Sequence, residues 1–123
     1  MRVGKIEVNG TEYPLCLSTS LICELEEETG LPHGEAIDKI ISGGKVSELF
    51  GLMARMIAAG CRYKKLIGEE APDPISKQDL ADLIGLDDYP TVFGQLYASV
   101  TGGATPEVTV EPDSKNAETS PRD

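Results

Sequence analysis

The stretch from residue 46 to residue 66 constrains the fold most, because it is the longest run of helix-periodic apolar residues in the chain. On a helix with about 100° per residue, Val46, Leu49, Phe50, Met53, Ile57 and Cys61 form one stripe. Leu52, Met56 and Tyr63 extend the apolar arc to roughly twice the ~100° width of an ordinary surface helix. A helix of this kind lies centrally in a bundle or shares its extra edge with a partner.

Size and charge limit the classes of function. The 123 residues suffice for one domain with a modest core. A formal net charge of −10 argues against nucleic acid and against an anionic membrane surface as partners, since both require a cationic face. The sequence contains no apolar stretch of about 18 residues, which a membrane span requires, and no signal-peptide pattern at its beginning. We therefore expect a cytoplasmic protein.

Residues 3–17 predict a β-hairpin. Asn9-Gly10 is a strong turn signal, because a type I′ turn needs positive φ at both central positions. A two-residue loop pairs Val8 with Thr11 and fixes the register of the remaining residues. The apolar face of the hairpin then consists of Ile6, Val8, Tyr13 and Leu15. Since a lone hairpin is only marginally stable, this face is expected to dock on helices.

Four further helices are predicted from cap signals and periodicity. They are a helix at 19–29 between Ser18 and Gly30, one at 33–42, one from Ser76 to Gly85, and one with Pro90 in its first turn. The fold class is therefore α+β, mainly α, with an N-terminal β-hairpin packed on a bundle of about five helices. We expect a domain over residues 1–102, ended by Gly102-Gly103, and a disordered acidic tail over residues 103–123, which is too polar to fold alone.

No group of residues suggests catalysis, a cofactor or a metal site. The chain has one histidine and three cysteines, without a Cys-x-x-Cys pair, a glycine-rich phosphate loop or a hydrolase motif. We expect His33 at the beginning of the second helix, and Cys16, Cys23 and Cys61 as buried, reduced thiols. The sequence is typical of a binding protein and not of an enzyme.

Two segments carry a family resemblance. Residues 15–30 end in Leu-Glu-Glu-Glu-Thr-Gly, and residues 74–85 read Pro-Ile-Ser-Lys-Gln-Asp-Leu-Ala-Asp-Leu-Ile-Gly. In these motifs, and in the order of elements over about residues 5–100, the chain resembles the tail assembly chaperones of long-tailed phages, prophages and gene transfer agents. It departs from the family at residues 52–57, where Trp is common and this chain has Leu-Met-Ala-Arg-Met-Ile.

The resemblance implies a non-enzymatic chaperone in the cytoplasm of a bacterial host. Such proteins bind the helical tape measure protein, keep it soluble, and help tail tube subunits assemble around it. Two alternatives stay open from the sequence: a structural tail component, and an acidic regulatory or interaction protein without catalytic activity.

An apolar binding row is predicted along one edge of the central helix. Leu52, Met56, Ala59 and Tyr63 follow i, i+4, i+7, i+11, and such a stripe would fit an apolar helix of the tape measure protein. The alternatives are that these residues pack inside the domain, or that the chain self-associates into a homo-oligomer along the same stripe.

A second candidate surface is the acidic part of the first helix. Glu24, Glu27 and Glu28 form either a solvated face or a surface that recognises a basic partner. Glu24 and Glu28 also repel each other at i, i+4, near a helix C-terminus that disfavours negative charge.

Overall fold

The computed structural model describes residues 2–100 and confirms the predicted fold class, an N-terminal hairpin with five helices. The elements in chain order are β1 (Gly4–Val8), β2 (Thr11–Leu15), α1 (Thr19–Thr29), α2 (Glu35–Gly43), α3 (Val46–Leu66), α4 (Lys77–Leu83) and α5 (Tyr89–Val100). The tail predicted at 103–123 and the terminating Gly102-Gly103 lie outside the described residues.

The hairpin has the predicted turn and register. Asn9 and Gly10 have φ values of 52° and 82°, the positive values that a type I′ turn requires. The strands pair antiparallel, with Val8 opposite Thr11. Of the predicted apolar face, Ile6, Val8 and Leu15 are buried, and Tyr13 is partly buried against the same core. The hairpin therefore docks on the helices through this face.

The predicted caps of two helices are confirmed. Ser18 Oγ accepts a hydrogen bond from the Leu21 N–H at 3.2 Å, and Ser76 Oγ accepts one from the Asp79 N–H at 3.1 Å. Gly30 ends α1 in the left-handed conformation with φ 73°. Local sequence signals thus determine where these helices begin or end.

The second helix begins later than predicted. His33 and Gly34 both have positive φ, 56° and 80°, so neither residue belongs to the helix, which starts at Glu35. His33 is exposed and lies in the turn before α2 instead of in the helix.

The central helix α3 is the main core element, although its first residue is not. Val46 was expected in the core and is 43% exposed, because buried side chains begin only at Leu49, one turn further along the helix. The helix ends at Leu66, the last residue of the apolar-periodic stretch. Its buried residues are Leu49, Phe50, Leu52, Met53, Met56, Ile57, Gly60 and Cys61.

Strand β2 approaches α3 unusually closely at Gly60. A Cβ placed on Gly60 would lie 2.6 Å from the carbonyl oxygen of Pro14 and 2.7 Å from its carbonyl carbon. The N–H of Cys16, the residue after β2, donates to the Met56 carbonyl oxygen at 3.1 Å, a backbone hydrogen bond that joins the end of the hairpin to the helix. The hairpin is therefore held on the edge of α3 that contains Met56.

The last helix covers the other strand. Val92 and Leu96 of α5 are buried, and its last turn lies against the start of β1, where a Cβ on Gly4 would overlap Ser99 Oγ. Within residues 2–100, no helix has both the length and the apolar character needed to cross a membrane.

Candidate protein-binding surface

The apolar row predicted on α3 is divided by the fold. Leu52 and Met56 are 2% and 0% exposed, so neither side chain can contact a partner in this conformation. They are buried because β2, α1 and α2 pack against α3. Ala59 and Tyr63, one and two turns further on, are partly exposed. Of the predicted binding residues on α3, only these two lie at the surface.

An exposed ridge lies beside Ala59 and Tyr63 on the C-terminal half of α3. Ala58, Arg62 and Leu66 are spaced at i, i+4, i+8, so they share one helix face, and we call them the α3 ridge. All three are exposed, and Leu66, a large apolar side chain, exposes 71% of its surface. Leu66 is not among the predicted binding residues, because at about 100° per residue it falls on the polar side of the helix with Glu48 and Arg62, outside the apolar arc.

Two grooves of about 270 Å³ each flank the α3 ridge, and all three ridge residues line both. The first groove lies between α3 and the first half of α1, and its wall also includes Leu21, Glu24, Arg55 and Tyr63. The second lies towards the loop after α3 and includes Lys65 and Pro74. The arrangement of a ridge between two shallow grooves provides apolar contacts on both sides of Leu66.

Although the net charge of the chain is −10, the ridge and its immediate neighbours carry basic residues. Arg62, Lys64 and Lys65 lie in the last turns of α3, where positive charge interacts favourably with the helix dipole. Lys64 Nζ lies 3.8 Å from Glu69 Oε1, whereas Arg62 and Lys65 form no ion pair within residues 2–100. The α3 ridge therefore combines the apolar Ala58 and Leu66 with the cationic Arg62, and Lys65 lies beside it.

The glutamates predicted as an acidic binding surface are mostly engaged inside the domain. Arg55 of α3 lies between Glu24 and Glu28: its Nη2 donates to both carboxylate oxygens of Glu28 at 3.0 and 2.7 Å. Arg55 Nη1 is buried and lies 3.7 Å from Glu24 Oε1, which is within ion-pair distance but too long for a hydrogen bond. The guanidinium thus offsets the repulsion between the two carboxylates and connects α1 to α3. Glu27 is exposed and forms no ion pair within residues 2–100.

The Arg55–Glu28 ion pair is expected to stabilise the fold only slightly, and less at high salt concentration. A double-mutant cycle with Arg55→Gln and Glu28→Gln should give a coupling energy of about 0.2–1 kcal/mol, because both side chains are partly exposed. Urea unfolding at low and at ~1 M salt measures it, and the coupling should fall at high salt as screening increases. A coupling that is unchanged by salt would show that the pair acts through packing instead of charge.

The three cysteines differ in environment. Cys16 and Cys61 are buried as expected, and burial raises the pKa of both thiols by penalising the thiolate. Cys23, expected to be buried, is exposed, because it lies on the solvent side of α1 beside the buried Leu21 and Leu25 positions. A raised thiol pKa in the folded state stabilises the fold below the unfolded pKa, and this contribution is lost as pH rises through the folded pKa.

One cysteine should therefore react in the native protein. With a thiol-specific chromophoric reagent at neutral pH, we expect one equivalent to react rapidly, at Cys23, and two more only after denaturation. Cys23→Ser should abolish the rapid reaction and leave the two equivalents that react after denaturation. Rapid reaction of more than one equivalent in folded protein would contradict the burial of Cys16 and Cys61.

Other surface features suit a partner less well. A groove of about 480 Å³ lies between α1, α2 and α3, but Lys39, Glu48 and Lys77 give its wall mixed charge. Lys77 Nζ donates to Ser47 Oγ at 2.7 Å across it. Leu86, in the loop between α4 and α5, is 80% exposed and lines neither groove of the α3 ridge. Leu86 is thus a useful control for the ridge.

The α3 ridge is the candidate protein-binding surface, since it presents an exposed leucine beside an arginine, a residue type enriched at protein interfaces. Within residues 2–100, no group of three or more His, Cys, Asp or Glu side chains is placed to hold a metal ion. The chain was compared with protein-family models, with curated proteins and with solved structures, and these comparisons gave no significant match.

Proposed function

We propose that this protein is a tail assembly chaperone, which binds the tape measure protein of a long-tailed phage, prophage or gene transfer agent in the cytoplasm of the bacterial host. The observation that carries the proposal is the α3 ridge, where Leu66 is 71% exposed between two grooves. The motifs at residues 15–30 and 74–85 support it, because they resemble that family and form the capped helices α1 and α4.

The dimensions of the ridge suit a helical partner. Ala58 and Leu66 are eight residues apart, about 12 Å along the helix axis, or slightly more than two turns. A partner helix that lies along this ridge would place its own apolar side chains in the two grooves, as in helix-in-groove recognition. The tape measure protein offers such apolar helical surface before tail tube subunits enclose it.

Co-expression with the tape measure protein encoded nearby tests the proposal. The measured quantity is the fraction of tape measure protein in the soluble extract. We expect this chain to raise that fraction, Leu66→Ser to reduce the gain, and Leu86→Ser to leave it unchanged, because Leu86 lies outside the ridge. A tape measure protein that is equally insoluble with and without this chain would overturn the proposal.

Two measurements separate the chaperone from the alternatives. A structural tail component would copurify with finished particles, whereas a chaperone should be absent from them. An acidic regulatory protein would lose its binding on Glu27→Gln, and this substitution suits the test because Glu27 lies outside the Arg55 contacts. Glu24 and Glu28 suit it less, since their neutralisation would also weaken the connection between α1 and α3.

A further inference from the structure

We propose that two copies of this chain associate through the outer face of α5, which packs against the same face of the second copy as an antiparallel helix pair. The inference rests on the composition and geometry of α5, and it does not require the function proposed above. It differs from self-association along the predicted apolar row of α3, because Leu52 and Met56 of that row are buried within the domain.

The outer face of α5 consists of five exposed residues, which are Pro90, Thr91, Gly94, Gln95 and Tyr97. Gly94 lies at its centre, because it is the sixth residue of Tyr89–Val100 and is on the side of the helix opposite the buried Val92 and Leu96. Within residues 2–100, a Cβ placed on Gly94 would meet nothing within 4 Å, so the space outside it is open.

An aromatic row borders this face. Tyr89, Phe93 and Tyr97 are spaced at i, i+4, i+8, and the centroids of successive rings are 5.9 and 6.2 Å apart. Tyr89 and Phe93 are partly buried, and Tyr97 is 49% exposed. The row continues to Phe50 of α3, whose ring centroid lies 6.1 Å from that of Tyr89. Partly exposed aromatic rings held on the core in this way are typical of protein interfaces.

The distribution of charge favours a second copy as the occupant. Of the helices and strands that the structure describes, α5 is the only one without a charged residue. Two copies with a net charge of −10 each repel, and this repulsion is smallest where the surfaces in contact are uncharged. A two-fold contact also brings residues near the axis close to their own copies, so a charged residue there would face its own charge. The outer face of α5 avoids this cost, whereas Arg62 of the α3 ridge would incur it.

An antiparallel pair places the two-fold axis at Gly94. Pro90 of one copy is then level with Ala98 of the other, and Tyr97 is level with Thr91. Because Gly94 has no side chain, the two helix backbones can approach closely at the axis. Tyr97 of each copy then covers the first turn of the other helix, so the exposed part of the aromatic row is buried at both ends of the contact.

The contact is small, and the dimer is therefore expected to be weak and reversible. The 12 residues of α5 extend about 18 Å, so a single helix pair covers much less than the ~800 Å² per partner of a standard interface. Association should strengthen at high salt concentration, because salt screens the repulsion between the acidic copies. No residue of α5 lines either groove of the α3 ridge, so each dimer would carry two separate ridges.

Sedimentation equilibrium of the full chain tests the proposal over concentrations from ~10 μM to ~1 mM, the range in which weak association is measurable. The weight-average mass should rise from that of one chain towards that of two. Gly94→Glu and Gly94→Lys should each weaken association about tenfold at low salt, because either side chain faces its own charge across the axis. An equimolar mixture of the two variants should restore association, because Glu then faces Lys.

The controls separate association from folding. Both Gly94 variants should keep the circular dichroism of the unmodified chain, since the site is open and both residues form helices better than glycine. Gly51→Glu introduces the same charge on α3, where the added Cβ would meet only Lys77 Cδ at 3.9 Å, and it should leave association unchanged.

Several results would overturn the proposal. One is a mass that stays at one chain at the highest concentration, and another is association that neither Gly94 substitution weakens. A mixture that fails to restore association would exclude the two-fold axis at Gly94. A mass that rises beyond two chains would indicate a head-to-tail contact, and loss of association on Leu66→Ser would place the second copy on the α3 ridge instead.

Discussion

Replacing Gly60 by alanine is expected to lower the free energy of unfolding by up to about 2 kcal/mol, because adding a carbon to a closely packed site usually costs about 1–3 kcal/mol and better helix propensity offsets about 1 kcal/mol of this. Alanine is the better helix former by about 1 kcal/mol, so helix propensity alone predicts the opposite sign. Packing should prevail, because the added Cβ would lie 2.6 Å from the Pro14 carbonyl oxygen, a backbone atom that cannot rotate away. The hairpin would have to shift, which would strain the Cys16–Met56 hydrogen bond. Urea unfolding followed by circular dichroism measures the change.

Gly51→Ala on the same helix is the matched control. Its Cβ would meet only Lys77 Cδ, at 3.9 Å, which is an ordinary contact with a flexible side chain. The helix-propensity gain should therefore appear in full, as stabilisation of up to about 1 kcal/mol. If both substitutions stabilise the protein, the close approach of β2 to α3 does not exist in solution.

The contrast between these glycines shows which features the sequence alone can predict. The Asn9-Gly10 turn and the Ser18 and Ser76 caps are local, since the residues that form them lie within four positions of one another, and all three were predicted. The role of Gly60 depends on Pro14, which is distant in sequence, and nothing in the residues around Gly60 indicates which strand will pack there.

The candidate site shows the same limit for charged residues. The spacing of Glu24 and Glu28 predicts their repulsion, and together with Glu27 they are predicted to form either a solvated face or an acidic binding surface. Arg55 neutralises the pair from another helix, an arrangement that requires the relative position of α1 and α3. Periodicity identified the apolar arc of α3, but it could not show that β2 would cover Met56 at the edge of this arc, because β2 is distant in sequence.

Met56→Ala should therefore destabilise the domain and not act as an interface mutation. Met56 is 0% exposed, and truncation of a buried methionine to alanine costs about 2–5 kcal/mol through lost burial and the remaining cavity. The Cys16 N–H bonds to the main-chain oxygen of residue 56, so that hydrogen bond does not depend on the side chain that is removed. Urea unfolding measures the loss, and the slope of the free energy with urea concentration should stay unchanged if folding remains two-state.

Leu66→Ala is the comparison that separates core from surface on this helix. Because Leu66 is 71% exposed, its truncation should change the free energy of unfolding by no more than about 0.5 kcal/mol. In the co-expression assay, the two variants should be compared at equal amounts of folded protein. Met56→Ala, the less stable variant, should still solubilise the tape measure protein. Leu66→Ala, the more stable variant, should solubilise it less well. If Met56→Ala instead leaves stability unchanged and abolishes solubilisation, Met56 belongs to the binding surface, and α3 must release β2 when its partner binds.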